Sequence, residues 1–300
     1  MEEKVFPILL AMKKTTLINN TPITFIKMNS QGNEFILIDL AKEKLKLSDN
    51  IIQNIIREPS DNFDQLLLID YETNSENIYC KIFNSDGSRA FQCGNGLRAI
   101  MLYMNTTYSH SNIAVDIENK KYTVSINKKK EITASMGISR AFKLRDSNIQ
   151  YLDSFEKQNI VVESINNPIE FYLVELGNKH CVIVTLCTKD EKDIITKYFD
   201  KHYSNLFNLE FVENPKNLFK SVNTHFNISV YEAGAGWTKS CGSGATAVAS
   251  LLYGIHGNQM INKIITIKQD GGELTVSKTE DNLLLTGPST IEYEGKIHVY

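Results

Sequence analysis

The sequence lacks the features that several common protein classes require. Its five cysteines are odd in number, irregularly spaced and without a Cys-x-x-Cys pair, which argues against a disulfide framework or a zinc site. No apolar run approaches the roughly 18 residues of a membrane-spanning helix. Lysine and arginine (32) do not outnumber aspartate and glutamate (35), so no basic field favours nucleic acid or an anionic membrane. We therefore expect reduced thiols and neither a nucleic-acid nor a membrane partner.

The remaining composition is that of a globular protein. The chain has 300 residues, of which 42% are hydrophobic and 22% charged, enough for one large domain or two ordinary ones. Near the N-terminus the apolar run Val5–Met12 is short, acidic residues precede it, and no small-residue cleavage site follows. We therefore expect a cytoplasmic protein. Met12 is an alternative start, which would make residues 1–11 an upstream extension.

Short β-rich runs fill both halves of the chain. Runs such as "QLLLIDY" and "NIYCKIF" in the first half, and "FYLVELG" and "HCVIVTL" in the second, are separated by turn-forming residues. Leu45–Arg57 and Glu191–Tyr198 are predicted to be amphipathic, peripheral helices. Two further helices, beginning at Cys93 and Cys241, are apolar around most of their circumference, which predicts burial on all sides. The pattern predicts an α/β (α+β) fold with mixed sheets around two buried helices.

The two halves repeat the same landmarks. Asn84 precedes Cys93 by nine residues and Glu232 precedes Cys241 by nine. A Gly-Asn pair recurs 145 residues further along, and the Cys-Gly-x-Gly motif recurs after 148. Such near-equal offsets indicate two copies of one β-rich unit, joined near residues 138–150. A pseudo-twofold axis between the copies would place the two Cys-Gly-x-Gly helix starts face to face across a cleft.

That arrangement predicts a specific chemistry. Glycines at a helix start let a ligand approach closely, and the free N–H groups and helix dipole attract an anion. The same positive end favours a thiolate, so we expect it to lower the cysteine pKa. Two facing copies would hold one small carboxylate between two sulfurs. One thiolate could remove the α-proton of an amino acid and the other thiol return a proton on the opposite face. This scheme takes a small-molecule amino acid as substrate and needs neither pyridoxal phosphate nor a metal.

Two other functions remain open on the residues alone. A Cys-His hydrolase would use Cys93 or Cys241 as nucleophile and His180 as base, with the helix-start N–H groups as an oxyanion hole. It leaves one cysteine without a role. A non-catalytic carboxylate-binding protein would need the glycines but neither thiol.

Six blocks, taken in order, resemble the diaminopimelate epimerase family over nearly the whole chain. The resemblance runs from about Phe25 to Ile297, and the blocks read "FIKMNSQGNEFILID", "NFDQLLLID", "FNSDGSRAFQCGNGLRA", "GNKHCVIV", "SVNTHFNISVYEAGAGWTKSCGSGATA" and "LLLTGPSTIEYEG". The resemblance implies two pseudo-symmetric domains, each a mixed sheet wrapped on a central helix, with the active site between them. It places one domain at residues 22–140 plus 288–300 and the other at 141–287, after an N-terminal extension of residues 1–21. A homodimer is compatible with it.

The resemblance also assigns roles to individual residues. It implies that Cys93 and Cys241 are the two acid–base thiols of a cofactor-independent isomerase. The N–H groups implied to bind the α-carboxylate belong to Gly94, Asn95, Gly242 and Ser243. The other residues implied to contact the substrate, or to lie beside it, are Asn33, Gln65, Asn84, Asn178, Asn223 and Glu232, with His180 in a supporting role.

Three departures from the family pattern bear on the substrate. Ala233 replaces an arginine that clamps a distal carboxylate, Trp237 replaces an acidic residue, and Lys179 replaces a proline. Losing the arginine removes charge-assisted hydrogen bonds worth about 1.5–3 kcal/mol each. One interpretation is an enzyme that interconverts LL- and meso-diaminopimelate for lysine and peptidoglycan synthesis, with a rearranged clamp. The other is a racemase of a different amino acid, such as histidine. The complete set of asparagines favours diaminopimelate.

Overall fold

The structure has the predicted mixed α+β fold. The computed structural model describes residues 22–57, 62–72, 75–90, 93–145, 148–220, 223–260 and 262–298. The predicted N-terminal extension, residues 1–21, lies outside the described residues. The domain limits given above stay a prediction.

Strands dominate both halves of the chain. The first half contains β1 (Pro22–Ser30), β2 (Asn33–Asp39), β3 (Gln65–Asp70), β4 (Asn77–Asn84), β5 (Arg89–Ala90), β6 (Asn112–Ile117), β7 (Lys120–Ile126) and β8 (Ile132–Gly137). The second half contains β9 (Arg140–Arg145), β10 (Asn148–Leu152), β11 (Gln158–Ile160), β12 (Ile169–Leu176), β13 (Asn178–Ile183), β14 (Asn208–Val212), β15 (His225–Glu232), β16 (Gly236–Thr238), β17 (Ile265–Gln269), β18 (Gly272–Lys278), β19 (Leu283–Gly287) and β20 (Thr290–His298). The helices are α1 (Leu40–Glu43), α2 (Asp49–Arg57), α3 (Gly94–Tyr108), α4 (Lys189–Tyr203) and α5 (Gly242–His256), with short 3₁₀ turns at Pro215–Phe219 and Gly257–Met260.

The two halves repeat one pattern of strand pairing. In the first half the order is β1-β2-β3-β4-β6-β7-β8, paired antiparallel, parallel, antiparallel, parallel, antiparallel and antiparallel. In the second half β12-β13-β14-β15-β17-β18-β19 pair with the same signs in the same order. The short hairpin strands β5 and β16 also correspond, because each follows the fourth strand and precedes a long helix. The seven matched strands, the short hairpin strand and the long helix of one half therefore each have a counterpart in the other.

Crossed connections join the two units into one continuous ladder. β8, the last strand of the first unit, pairs with β19, the last strand of the second. The C-terminal strand β20 returns to pair with β1, and β9 pairs with β12 in the corresponding position. The two units therefore meet along their last strands, and the chain crosses between them twice.

Each half is built in two hydrophobic layers. The inner layer packs the strands onto a central helix, α3 in the first half and α5 in the second, and both helices are buried over most of their length. This confirms the prediction of two buried helices. The outer layer in each half lies between the other face of the strands and a peripheral helix, α2 or α4.

The peripheral helices differ in length from the sequence prediction. α2 begins at Asp49, later than predicted, and buries Ile52, Ile55 and Ile56 on one face. α4 begins earlier, because Thr188 and Glu191 form a reciprocal capping box at its N-terminus. Within the described part of the chain, no helix is long and apolar enough to cross a membrane.

Candidate active site

Both central helices begin with the same cysteine geometry. Cys93 caps α3 and its Sγ accepts a hydrogen bond from the N–H of Gly96 at 3.2 Å. Cys241 caps α5 and its Sγ accepts from the N–H of Gly244 at 3.4 Å. The extended backbone of each cysteine followed by helix is what the Cys-Gly-x-Gly spacing predicts. Each thiol therefore lies beside first-turn N–H groups that have no carbonyl partner within the helix.

The two helix starts meet across the junction of the halves. The side chain of Asn95, in the first turn of α3, donates to the carbonyl of Ser240, just before Cys241, at 3.1 Å. A Cβ on Gly242 would lie 3.0 Å from the Asn95 Oδ1, and a Cβ on Gly94 would lie 3.0 Å from Leu285. Glycine is what permits this approach. The structure thus brings Gly94, Asn95, Gly242 and Ser243 together with both cysteines.

In the first half, one predicted polar residue contacts Cys93 and two others lie on the neighbouring strands. Asn33 begins β2, and its Oδ1 lies 3.9 Å from the Cys93 Sγ. Gln65 and Asn84 face each other at the ends of β3 and β4, and the Gln65 amide donates to the Asn84 Oδ1 at 2.9 Å. The asparagines and the glutamine predicted for this half therefore lie on one side of the cleft.

In the second half, the corresponding places belong to Asn178, Asn208 and Glu232. Asn178 begins β13, Asn208 begins β14 and Glu232 ends β15. Asn208 pairs with His180 just as Gln65 pairs with Phe35, so Asn208 is the structural counterpart of Gln65.

Asn208 escaped the sequence prediction, and Asn223 was named instead. Asn223 lies two residues before β15, at the opposite end of that strand from Glu232, where its Oδ1 accepts from the N–H of His225. Eight strand residues separate the two ends by about 23 Å. The position of Asn223 therefore does not support a role in binding the substrate. A signal for Asn208 existed, because it follows Asn178 at nearly the spacing at which Gln65 follows Asn33.

Two carboxylates and an imidazole surround Cys241. Glu232 accepts a hydrogen bond from the Thr238 hydroxyl at 2.7 Å and lies close enough to Cys241 to raise the pKa of that thiol. His180 and Glu210 form a fully buried pair, with Nδ1 and Oε1 2.7 Å apart. Burial raises the pKa of both carboxyl groups, and their hydrogen bonds and the neighbouring imidazole oppose that rise. Cys241 thus lies among ionisable side chains, unlike a cysteine in a purely hydrophobic core.

Burial also raises the pKa of both thiols. The pKa of Cys93 is raised to about 12 by burial, with Glu232 adding to the rise and the Gly96 N–H opposing it. The pKa of Cys241 is raised well above its usual range by burial and then by Glu232 and Glu210. The expectation that the helix starts lower these values is wrong, because desolvation outweighs the N–H dipoles. Both thiols are therefore protonated at neutral pH before a substrate binds.

A buried arginine supports the junction. Arg98 is fully buried and donates to the Gly94 carbonyl and to the Asn95 Oδ1, the latter at 2.9 Å. Burial lowers its pKa to about 10, so it remains a cation at neutral pH. It makes no ion pair among the described residues, and its charge lies beside both helix starts. Sequence reasoning passed over this residue because a lone arginine in a helix is usually exposed.

The mouth of the cleft is a cavity of about 310 Å³ between the two halves. It is lined by residues 32–34 and 62–64 from the first half and by residues 235 and 237–240 from the second. Lys239 crosses over Gly32, where a Cβ would lie 2.8 Å from the lysine Cδ. Gly32 has a φ of +88°, which glycine adopts without strain. Among the residues around this cavity, Lys239 is the cation and makes no ion pair within the described chain.

Two positions that depart from the family pattern, Trp237 and Lys179, differ in where they lie relative to the mouth cavity. Trp237 lines the cavity, packs on Phe211 and Tyr231, and donates its indole N–H to Asp193. Lys179 pairs with Glu175 across the strands. Because neighbouring residues of a strand point to opposite faces, Lys179 points away from the face that carries His180. Lys179 therefore does not replace the missing arginine at Ala233.

The described residues contain no cluster of three or more histidine, cysteine, aspartate or glutamate side chains placed to hold a metal ion.

Known structures share this fold. A hydroxyproline epimerase from Agrobacterium vitis, solved with trans-4-hydroxy-L-proline bound, aligns with a TM-score of 0.64 at 10% identity, covering 92% of this chain and 91% of that one. A phenazine biosynthesis protein of the PhzF family from Enterococcus faecalis aligns with a TM-score of 0.61 at 14% identity, covering 93% and 100%. At these identities the likeness concerns the fold alone, which is that of a group including epimerases and racemases.

Sequence similarity narrows the class. The family model described as diaminopimelate epimerase matches residues 25–141 and 172–292. A diaminopimelate epimerase from Buchnera aphidicola subsp. Baizongia pistaciae is 31% identical over 294 residues, covering 92% of this chain and 96% of that protein. One from Legionella pneumophila (strain Paris) is 29% identical over 286 residues, covering 92% and 99%. The protein is thus an isomerase of the epimerase type. It belongs to the diaminopimelate epimerase family.

Proposed function

We propose that this protein inverts the α-carbon of an amino acid by a two-thiol acid–base mechanism that uses Cys93 and Cys241. The observation that carries the proposal is the meeting of two equivalent Cys-capped helix starts at one junction. The α-carboxylate of the substrate would accept hydrogen bonds from the N–H groups of Gly94, Asn95, Gly242 and Ser243. Those fixed dipoles stabilise the negative charge that develops when the α-proton leaves.

The proton balance of the step is simple. One sulfur, as thiolate, takes the proton from Cα, and the other sulfur gives its proton to the opposite face of Cα. The two sulfurs therefore exchange protonation states in each turnover. Because burial raises the pKa of both thiols, the charge of the bound substrate has to favour loss of one thiol proton to solvent. The α-ammonium group supplies a positive charge that does this, next to the carboxylate of Glu232.

For the substrate we propose diaminopimelate, interconverted between the LL and meso forms in lysine and peptidoglycan precursor synthesis. The curated relatives that carry this name support the assignment. The distal carboxylate needs a cation, since Ala233 supplies none. Lys239 is suited to that role because it lies in the mouth cavity without an ion pair among the described residues. Because Lys239 belongs to the second half and packs over Gly32 of the first, the proposed clamp would contact both halves.

A racemase of another amino acid, for example histidine, is the second candidate. It is favoured by the replacement of the arginine with Ala233 and by Trp237, an aromatic wall at the mouth that is 44% exposed. An aromatic ring offers a stacking surface to an imidazole and no charge to a carboxylate. The two candidates share the thiol mechanism and differ only in the distal part of the site.

The other two functions have less support. A Cys-His hydrolase needs a thiol–imidazole hydrogen bond, yet the Nε2 of His180 has no partner among the described residues, while Nδ1 contacts Glu210. A carboxylate-binding protein accounts for the glycines but not for two cysteines in matched positions. A covalent acyl-enzyme would favour the hydrolase, and ligand affinity without turnover would favour the binding protein.

The test combines substrate and thiol. The purified protein is offered LL- and meso-diaminopimelate and a panel of L- and D-amino acids including histidine, in D₂O, with stereochemistry and α-deuterium measured together. We expect inversion and exchange with diaminopimelate. Cys93→Ser and Cys241→Ser should each lose inversion, whereas Cys187→Ser, a half-buried thiol that donates to the Thr185 carbonyl, should not. Inversion at wild-type rate in both serine variants would contradict the two-thiol mechanism. A preference for histidine would show that histidine, and not diaminopimelate, is the substrate.

A cytoplasmic location and a homodimeric state belong to the same proposal and rest on sequence reasoning. Cell fractionation and light scattering of the purified protein check them directly.

A further inference from the structure

One pair of residues breaks the correspondence between the two halves. His180 on β13 corresponds to Phe35 on β2, and Glu210 on β14 corresponds to Leu67 on β3, because the parallel strand pairs have the same register in both halves. All four side chains are fully buried. The first half thus fills these places with two apolar residues, and the second fills them with an imidazole and a carboxylate.

A fully buried carboxylate is costly, so its retention calls for a reason. The fold does not require it, since Phe35 and Leu67 fill the same positions of the same strand pattern. Moreover, the pair is only half satisfied. The Nδ1 of His180 and the Oε1 of Glu210 bind each other, but the buried Nε2 and Oε2 have no hydrogen-bond partner among the described residues. Unpaired buried polar atoms of this kind are rare in native proteins and point to a functional constraint.

The pair lies directly behind the candidate site. A Cβ on Gly244, in the first turn of α5, would lie 2.8 Å from the Oε1 of Glu210. His180 lies close enough to Glu232, and Glu210 close enough to Cys241, to influence the pKa of those groups. Glu210 thus lies against the backbone of the helix start. The unpaired Nε2 is the remaining hydrogen-bonding atom of the imidazole.

We propose that Glu210 is a positioning residue that fixes the ring of His180, holds its Nδ1 proton and leaves Nε2 free to bond with groups in the cleft beside Cys241. Its effect on activity rests on the epimerase function proposed above, while its effect on the imidazole does not. The first half has no such device, so the pair would make the surroundings of the two thiols unequal.

The Nδ1 proton follows from the geometry and relative basicity. An imidazole is a stronger base than a carboxylate by about 2 pKa units in water, and the proposal accordingly assigns the shared proton to the ring. A contact of 2.7 Å is typical of such a charge-assisted hydrogen bond. Neutral histidine in water prefers the other tautomer, with the proton on Nε2, so the pairing has a distinct spectroscopic signature.

The first arm of the test is nitrogen NMR of protein labelled at histidine ring nitrogens. We expect His180 to carry its proton on Nδ1 in the wild type and to shift toward the Nε2 tautomer in Glu210→Leu. Glu210→Gln, whose amide oxygen still accepts from Nδ1, should keep the wild-type tautomer. His180→Phe assigns the signal. An unprotonated Nδ1 in the wild type, or an unchanged tautomer in Glu210→Leu, would overturn the proposal whether or not the protein is an epimerase.

The second arm separates positioning from stability. Glu210→Leu should lower kcat at least about 10-fold with KM changed less than about 3-fold, and Glu210→Gln should retain more activity. The double variant His180→Phe/Glu210→Leu recreates the apolar pair of the first half. It should therefore recover the thermal stability that either single change loses, and yet remain as slow as Glu210→Leu or slower. If activity returns with stability, the pair is merely structural.

A matched control is a buried carboxylate elsewhere. Asp39 accepts hydrogen bonds from the hydroxyls of Tyr71, Tyr103 and Tyr108 in the first half. Asp39→Asn should lower thermal stability. It should change neither the His180 tautomer nor kcat. If Asp39→Asn reproduces the kinetic effect of Glu210→Leu, lost stability explains both, and the proposal fails. A wild type inactive on the whole substrate panel would instead contradict the proposed function and leave the NMR arm decisive for Glu210.

Discussion

The first and second halves of this protein share one frame of strands around a central helix. They differ in the side chains that surround the cysteine of each helix. Both wrap seven strands, paired with the same signs, around a helix that begins with a cysteine cap. Around Cys93 the frame presents amides and apolar side chains, with Phe35 and Leu67 behind them. Around Cys241 it presents Glu232, His180 and Glu210.

The difference fits what inversion at carbon demands. Two acid–base groups on opposite faces of one carbon need equivalent positions, which a duplicated frame provides. They also need unequal protonation, because one takes a proton while the other gives one. Under the mechanism proposed above, unequal linings would favour that difference. Interacting thiols titrate as a coupled pair, so the asymmetry acts on the pair as a whole.

Removing one thiol at a time is the strongest way to break the comparison. Cys93→Ala and Cys241→Ala should each lower the rate of inversion at least about 10²-fold, because a positioned acid or base contributes about 10²–10⁴. Each variant keeps one sulfur on one face of the substrate. We therefore expect residual α-proton exchange from one stereoisomer only, and from opposite stereoisomers in the two variants. Exchange measured by NMR in D₂O checks this, and exchange of the same stereoisomer in both would contradict a two-face site.

The loops before the two cysteines offer a second comparison. The second-half loop carries Lys239 two residues before Cys241, whereas the sequence has Phe91 two residues before Cys93. Lys239→Met should raise KM for diaminopimelate about 10-fold or more, since a charge-assisted hydrogen bond is worth about 1.5–3 kcal/mol. KM for any accepted amino acid without a distal carboxylate should stay unchanged. Steady-state kinetics on both substrates, with Lys179→Met as the matched control, decide whether Lys239 is the clamp.

Glu232, in the second half, should make the stability of the protein depend on pH. Burial raises the pKa of Glu232 in the folded protein, so its folded state holds a proton more tightly than the unfolded chain. The associated stability is present below the unfolded pKa of about 4.3 and is lost as the pH rises above it. Glu232→Gln should therefore gain stability relative to wild type between about pH 4.5 and pH 7. Urea unfolding across that range measures the trend, and a constant difference would show that Glu232 is not desolvated.

The duplicated frame was predictable from sequence because its markers are local. The Cys-Gly-x-Gly motifs and the Gly-Asn pairs have short, repeated spacings, and helices that are apolar all round predict burial directly. Asn208 and Glu210 were missed because their counterparts, Gln65 and Leu67, are of other residue types. The thiol pKa was predicted in the wrong direction, since the helix start is visible in the sequence but the desolvation of the two sulfurs is not.

Two glycines at equivalent helix positions allow the smallest expected difference in stability between the halves to be measured. Gly96 and Gly244 occupy the same helical position, where alanine is intrinsically favoured by about 0.5–1 kcal/mol. A Cβ on Gly96 would lie 3.3 Å from the end of the Leu67 side chain, which can yield. A Cβ on Gly244 would lie 2.8 Å from the Glu210 Oε1 and 3.2 Å from its Cγ, and this carboxylate is held by His180. Gly96→Ala should therefore change stability by less than about 1 kcal/mol, and Gly244→Ala should cost about 1–3 kcal/mol.

Denaturant unfolding of the two alanine variants measures this difference. The matched background is His180→Phe/Glu210→Leu, in which a leucine replaces the clamped carboxylate. There the Gly244→Ala change should cost no more than Gly96→Ala does in the wild type, because a leucine end can yield where the paired glutamate cannot. An equal cost of Gly244→Ala in both backgrounds would mean that the helix start, and not the buried pair, resists the added methyl group.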